Sequence, residues 1–233
     1  MPEATLAELL ERNERHASSL AADHFADVEA SQSPAVVSVC CSDSRVSQEG
    51  MWDASEPGWL FSVGNIGNQV WDEVDGERVV GGDVCYPIRF TDTRLAVVVG
   101  HTGCGAVTAA LEAVEQGEDG GAELPAGVAA RVRSLRPVVE AGLADDRVDG
   151  DRGNLVDQLV EYNVDRQVEF LLESDDVPDE ETVAGFVYDF QGVYGDVRGR
   201  CYLVNYQGET DPDALASFVP DGYETHVKRL LAP

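Results

Sequence analysis

Positive charge is what this sequence has least of. Lys228 is the only lysine, and 16 basic residues face 44 acidic ones, for a formal charge of -28. So acidic a surface excludes nucleic acid as a partner, because binding a phosphate backbone requires basic side chains to displace its counterions. Self-repulsion on this scale destabilises a compact state in dilute salt. At about 1 M salt the Debye length falls to roughly 3 Å and most of that repulsion is screened. The composition therefore predicts a protein of a salt-rich cytoplasm. Long apolar runs are also missing. The amino-terminal MPEATLAELLERNERH is charged, and its leucines sit at amphipathic helical spacing, so neither a signal peptide nor a membrane span is expected. Cysteines number five, an odd and unevenly spaced set that excludes a disulfide framework and points to metal ligands or core fillers in a reducing compartment. No internal repeat is present.

The rest is ordinary for a globular protein. At 233 residues and 43% hydrophobic content, one domain with one core is expected. We divide it into an extended N-terminal helical arm (1–34), a core (35–205) and a C-terminal tail (206–233). Residues 4–30 read as helix up to Pro34. Residues 35–40, 58–63 and 95–100 (AVVSVC, GWLFSV, LAVVVG) read as strands, and the last suits a parallel strand covered on both faces. Helical spacing follows at 104–115, 127–142 and 154–174, with acidic solvated loops at 116–123 and 144–152. Residues 182–190 and 200–206 read as late strands, and 223–231 as a short helix. Strands alternating with helices imply an α/β fold with a mainly parallel central sheet flanked by helices.

Two motifs carry chemistry. Cys41-Ser42-Asp43-Ser44-Arg45 directly follows the first strand, and His101-Thr102-Gly103-Cys104 directly follows the strongest one. Open α/β sheets place their sites at the carboxyl ends of parallel strands. If these two strands are neighbours, Cys41, His101 and Cys104 meet. Two thiolates and one imidazole form a three-ligand set that leaves a fourth position open, as catalytic zinc requires. Such an ion lowers the pKa of a bound water from about 15.7 toward about 7. Asp43 stands two residues from a ligand and is placed either to accept a hydrogen bond from that water or to become a fourth ligand. Arg45 can grip Asp43 bidentately and hold it off the metal. Each residue alone has a plainer reading: Cys41 as a core cysteine, Asp43–Arg45 as a surface ion pair. Their joint placement after two buried strands favours the metal.

CSDSRV followed by GHTGCG resembles the β-class carbonic anhydrases. The similarity spans roughly residues 5–205. It takes in Gln32-Ser33-Pro34, the stretch from Pro57-Gly58 to Phe61 with Asn65 and Asn68, then Tyr86, Asn163, Gln167 and the VYDF at 187–190. The resemblance implies reversible hydration of CO2 to bicarbonate by a zinc-bound hydroxide, one Zn2+ per chain, and a homodimer or higher homo-oligomer. It places the metal ligands on Cys41, His101 and Cys104 and the catalytic pair on Asp43 and Arg45. The substrate contacts fall on Gln32 (reaching across a dimer interface), Phe61, Ile66, Tyr86 and Gly105. Gly64 and Ser38 stand where a subgroup carries the arginine and tryptophan of an inhibitory bicarbonate site, so that regulation is expected to be weak or absent. Pro87 implies a kink or early stop in a helix, and Ala106 replaces a common glycine.

Other residues receive plainer assignments. Cys40 is expected on the opposite face of its strand from Cys41, and Cys85 and Cys201 in the core. His16, His24 and His226 read as surface residues, and Trp52, Trp59 and Trp71 as packing. Two further functions remain open on sequence grounds: a hydrolase of carbonyl sulfide or carbon disulfide on the same site, and a zinc-stabilised structural homologue closed by Asp43.

Overall fold

The computed structural model describes residues 5–117 and 124–231; most of the acidic loop expected at 116–123 lies outside them. The chain divides into two compact units, residues 1–32 and 33–233. The first contains α1 (Leu6–Ser19), capped by Thr5, whose hydroxyl accepts the Glu8 amide at 3.1 Å. The helix expected over 4–30 stops at Ser19. The Ser19 hydroxyl donates back to the His16 carbonyl at 2.7 Å, a local bond that competes with continuing the helix, and turns follow.

In the second unit the elements run β1 (Val36–Cys41), α2 (Gln48–Met51), β2 (Leu60–Asn65), β3 (Trp71–Val74), β4 (Glu77–Val80), α3 (Gly82–Phe90), β5 (Leu95–His101), α4 (Gly105–Gln116), α5 (Ala126–Leu143), α6 (Leu155–Leu172), β6 (Thr182–Asp189), β7 (Arg200–Tyr206) and α7 (Pro212–Phe218). Five strands form one sheet in the order β2-β1-β5-β6-β7. The first four are parallel and β7 is antiparallel. The result is a mainly parallel sheet flanked by helices. Alternate residues of β1 enter opposite layers: Val37, Val39 and Cys41 face the side packed by α3–α6, whereas Val36 and Cys40 face the side packed by α2 and α7. Cys40 thus lies across the sheet from Cys41, as expected.

The deepest layer is α6 against β5. Gly100 permits their close approach, since a Cβ there would meet Val160 at 2.7 Å and Val164 at 2.8 Å. The sequence reading passed over the β3–β4 hairpin. Its turn, Asp75-Gly76, has positive φ at both residues, the geometry two-residue hairpins favour. The reading also missed α7, which opens on an Asp211 cap and Pro212. Pro87 does not end its helix, and α3 runs on to Phe90. The carbonyl of Pro87 accepts both the amide and the hydroxyl of Thr91, which closes the helix end beyond the proline. The tail expected as a helix over 223–231 has only a single 3-10 turn, Glu224–His226, after which Val227 bridges to Leu203. Among the described residues no helix is long and apolar enough to cross a membrane.

Candidate metal centre

β1 and β5 are adjacent and parallel, so their carboxyl ends bring Cys41 and His101 side by side. Cys104 follows a two-residue turn, Thr102-Gly103, and stands at the N-cap of α4. The ligand-type atoms of Cys41, His101 and Cys104 all lie within 4.8 Å of one another, and all three residues are buried. The two sulfurs are 3.8 Å apart. The Gly67 amide points at Cys41 Sγ at 3.3 Å.

His101 Nδ1 bonds the Thr102 carbonyl at 3.0 Å, which makes Nδ1 the protonated nitrogen and directs the Nε2 lone pair toward the two sulfurs. Nε2 is buried and has no hydrogen-bond partner among the described residues. Leaving such an atom unsatisfied costs about 1–3 kcal/mol. A cation held between this nitrogen and two thiolates removes that cost, and two sulfurs plus one imidazole suit zinc with an open position. The residues present therefore fit a zinc ion.

The two thiols share a proton. Cys41 is lowered, chiefly because the Cys104 thiol donates to it, with burial opposing and His101 assisting. Cys104 is pushed up for the same reason, since it keeps the proton, and burial adds to the effect. Burial pulls the His101 imidazole down, but the nearby Cys41 sulfur and the Thr102 carbonyl outweigh this and the net shift is upward. Such a cluster is primed to lose its protons to solvent when a dication binds. By contrast, burial pushes Cys40 up to about 12, which makes it an inert core thiol.

Asp43 and Arg45 form the pair foreseen from their spacing. Arg45 Nη2 and Nε donate to the two Asp43 oxygens at 2.6 and 2.9 Å, and the Arg45 amide adds a third bond at 2.9 Å. This grip holds the Asp43 carboxyl far below the usual carboxylate range, so it is ionised at neutral pH. Its Oδ2 lies 3.8 Å from His101 Nε2. Arg45 is itself held twice more: Nη2 donates to the Gly103 carbonyl at 3.2 Å, and the guanidinium lies 4.7 Å from the centre of the Phe190 ring.

Two acidic residues to which the sequence reading gave no role organise the surroundings. Asp157 accepts the Gly103 amide at 2.8 Å from within α6. Burial raises its carboxyl, with the Gly103 bond working the other way. Asp189 is fully buried and accepts the amides of Gln191, Gly192, Val193 and Tyr194, shaping the loop that carries Phe190. Asp189 is legible only as part of the VYDF stretch, and Asp157, one of several charged residues in α6, carries no distinguishing sequence signal. Gly103 is left-handed (φ 63°), and a Cβ there would crowd the Gln191 side-chain amide at 2.6 Å, so a larger residue would be strained.

The expected substrate residues are less concentrated. Phe61 and Tyr86 pair at 6.3 Å between ring centroids, while Tyr86 (45%) and Ile66 (37%) are exposed. Gly105 opens α4 directly after Cys104. Gln32 belongs to the N-terminal unit and is exposed. Gly64 leaves room for a Cβ only at 3.1 Å from the Ser42 hydroxyl, and Ser38 is buried, accepting the Trp52 indole N–H at 3.3 Å.

Comparison with known proteins places this geometry in context. The sequence model described as carbonic anhydrase matches residues 36–194. Carbonic anhydrase 2 of Mycobacterium tuberculosis is 31% identical over 215 residues, covering 89% of this chain and 95% of the relative. Among solved structures, the Coccomyxa β-carbonic anhydrase in complex with acetazolamide superposes with a TM-score of 0.69 at 24% identity, covering 96% of each chain. One of two tetrameric β-carbonic anhydrases from Sordaria macrospora gives 0.68 at 19% identity, covering 87% of this chain and 98% of that one.

Proposed function

We infer that this chain, which belongs to the β-class carbonic anhydrase family, catalyses the reversible hydration of CO2 to bicarbonate and a proton with a zinc ion held by Cys41, His101 and Cys104. The observation that carries this reading is the unpartnered, buried Nε2 of His101, facing two sulfurs 3.8 Å apart and an ionised carboxylate. When bound, the ion supplies a Lewis acid that brings the pKa of water from about 15.7 toward about 7.

The chain's own residues do the rest. Asp43 is an acceptor only, because it is ionised, and it orients a water by taking a hydrogen bond from it. Arg45 engages both Asp43 oxygens and so keeps the carboxylate off the ligand position. This favours the open site over one closed by Asp43. Phe61 and Tyr86 offer an apolar surface suited to CO2, and the amide of Gly105 at the α4 N-terminus suits the bicarbonate charge. We further propose a homo-oligomer in which Gln32 reaches a neighbouring site, acting in a salt-rich cytoplasm. The tetrameric state named for the Sordaria relatives fits that assembly.

Stopped-flow CO2 hydration on metal-analysed protein in high salt tests the reading. One zinc per chain with rapid hydration at pH 8–9 is expected. Full zinc with no hydration overturns it, and turnover of carbonyl sulfide on the same sample would move the assignment to that substrate.

A further inference from the structure

Both sides of one peptide group are used at this site. The Thr102 carbonyl accepts His101 Nδ1 at 3.0 Å, and the N–H of the same peptide, carried by Gly103, donates to Asp157 Oδ1 at 2.8 Å. The next peptide begins with the Gly103 carbonyl, which accepts Arg45 Nη2 at 3.2 Å. Gly103 therefore sits between the imidazole and the guanidinium, in a left-handed conformation that one buried carboxylate secures from α6.

We propose that Asp157 is the positioning residue of the centre: through Gly103 it fixes the His101 tautomer that leaves Nε2 free for the metal, and it sets the carbonyl that holds Arg45. This rests on the zinc reading above. Metal-bound histidines commonly donate their second nitrogen to a carboxylate or a carbonyl, which raises ligand basicity. Here the two are in series, with the carboxylate polarising the peptide whose carbonyl takes the Nδ1–H. The Arg45 arm needs such support. Its side chain is 48% exposed, and an exposed ion pair by itself holds little. Asp157 lies more than fifty residues from both motifs, and its carboxylate reaches them only because α6 packs beneath β5.

The test compares Asp157→Ala, which removes the acceptor, Asp157→Leu, which also fills its space, and Asp157→Asn, which keeps an acceptor oxygen. Zinc affinity is read by chelator competition, and the His101 tautomer by 15N NMR of the zinc-loaded full chain. The Ala and Leu variants are expected to bind zinc roughly 10- to 100-fold more weakly, to lose the protected Nδ1–H signal, and to turn over more slowly per bound zinc. The Asn variant should recover most of all three. Unchanged affinity and an unchanged Nδ1–H signal in folded Ala or Leu protein overturn the proposal. Should neither variant fold, hydrogen exchange at the Gly103 amide of the wild type decides: protection supports the bond, and exchange at the rate of an open amide refutes it. A wild-type chain that binds no zinc would instead sink the underlying reading.

Discussion

At the level of single residues, neighbouring side chains with the same chemistry part company through direction. Cys40 and Cys41 are consecutive, yet the pleat sends one into an apolar layer, where burial pushes its thiol up to about 12, and the other into the metal cluster, where its neighbours lower it. Asp43 and Arg45 are both near the surface, and their worth is orientation. Asp43→Ala is expected to keep its zinc and lose roughly 100-fold or more in kcat, as for a misplaced acid–base partner, whereas Cys104→Ser should lose the metal itself. Elemental analysis beside stopped-flow rates separates the two, and equal zinc loss in both would contradict the assigned roles. Glu181 offers a test unconnected to the site. Burial raises its carboxyl from 4.5 to about 7, and one oxygen has no partner among the described residues. An acid whose folded pKa is raised costs nothing below its unfolded pKa, and its penalty grows as pH rises through the folded value. Glu181→Gln should therefore stabilise the protein at pH 8, by roughly 1–3 kcal/mol, and leave it unchanged at pH 4. Urea unfolding at the two pH values checks the sign.

Among the elements, α6 has the largest task. It presses on β5 where Gly100 leaves space and sends polar side chains to several loops around the site. Asp157 takes the Gly103 amide. Asn163 donates to the Gly67 carbonyl at 3.3 Å, Gln167 donates to Asn163 at 3.0 Å, and the Gln167 oxygen accepts the Val70 amide at 2.9 Å. Gly67 in turn points its N–H at Cys41. Asn163→Ala should leave the Gly67 carbonyl and the Gln167 amide unsatisfied, and lower stability by about 2–4 kcal/mol. The loss, read by denaturant titration, should come with weaker zinc retention, because the loop that supports Cys41 is loosened. Zinc affinity at the wild-type level would confine Asn163 to the fold. The sequence reading found α6 by its apolar spacing. It could not assign these polar residues, because periodicity reports which face is buried and is silent on what a buried polar atom meets.

For the whole molecule the governing quantity is charge. With a formal charge of -28, the folded chain concentrates repulsion that the unfolded chain spreads out. Raising salt from about 0.1 M to about 3 M shortens the screening length from about 10 Å to less than about 3 Å. The thermal midpoint is expected to rise over that range. Equal or greater stability at low salt would contradict the saline reading. The acidic residues at the centre should respond least: Asp43 is gripped by a guanidinium, and Asp157 and Asp189 are buried behind backbone amides.

The sequence by itself determined the ligand types and their order. A strand run just before Cys41, another just before His101 and a thiol three residues later can be read directly, because strand runs and ligand spacing are local. The alternation of strands and helices likewise determined the α/β class. It misjudged where α1 ends, took Pro87 as a possible stop and read the tail as helix. Those outcomes turn on single hydroxyls, a cap and a bridge to Leu203. Only the tertiary structure decided that β1 and β5 are neighbours, that Nε2 is the free nitrogen of His101, and that Asp157 and Asp189 stand behind the site. Each of these depends on contacts between residues far apart in the chain, and local pattern carries no information about distance across a fold.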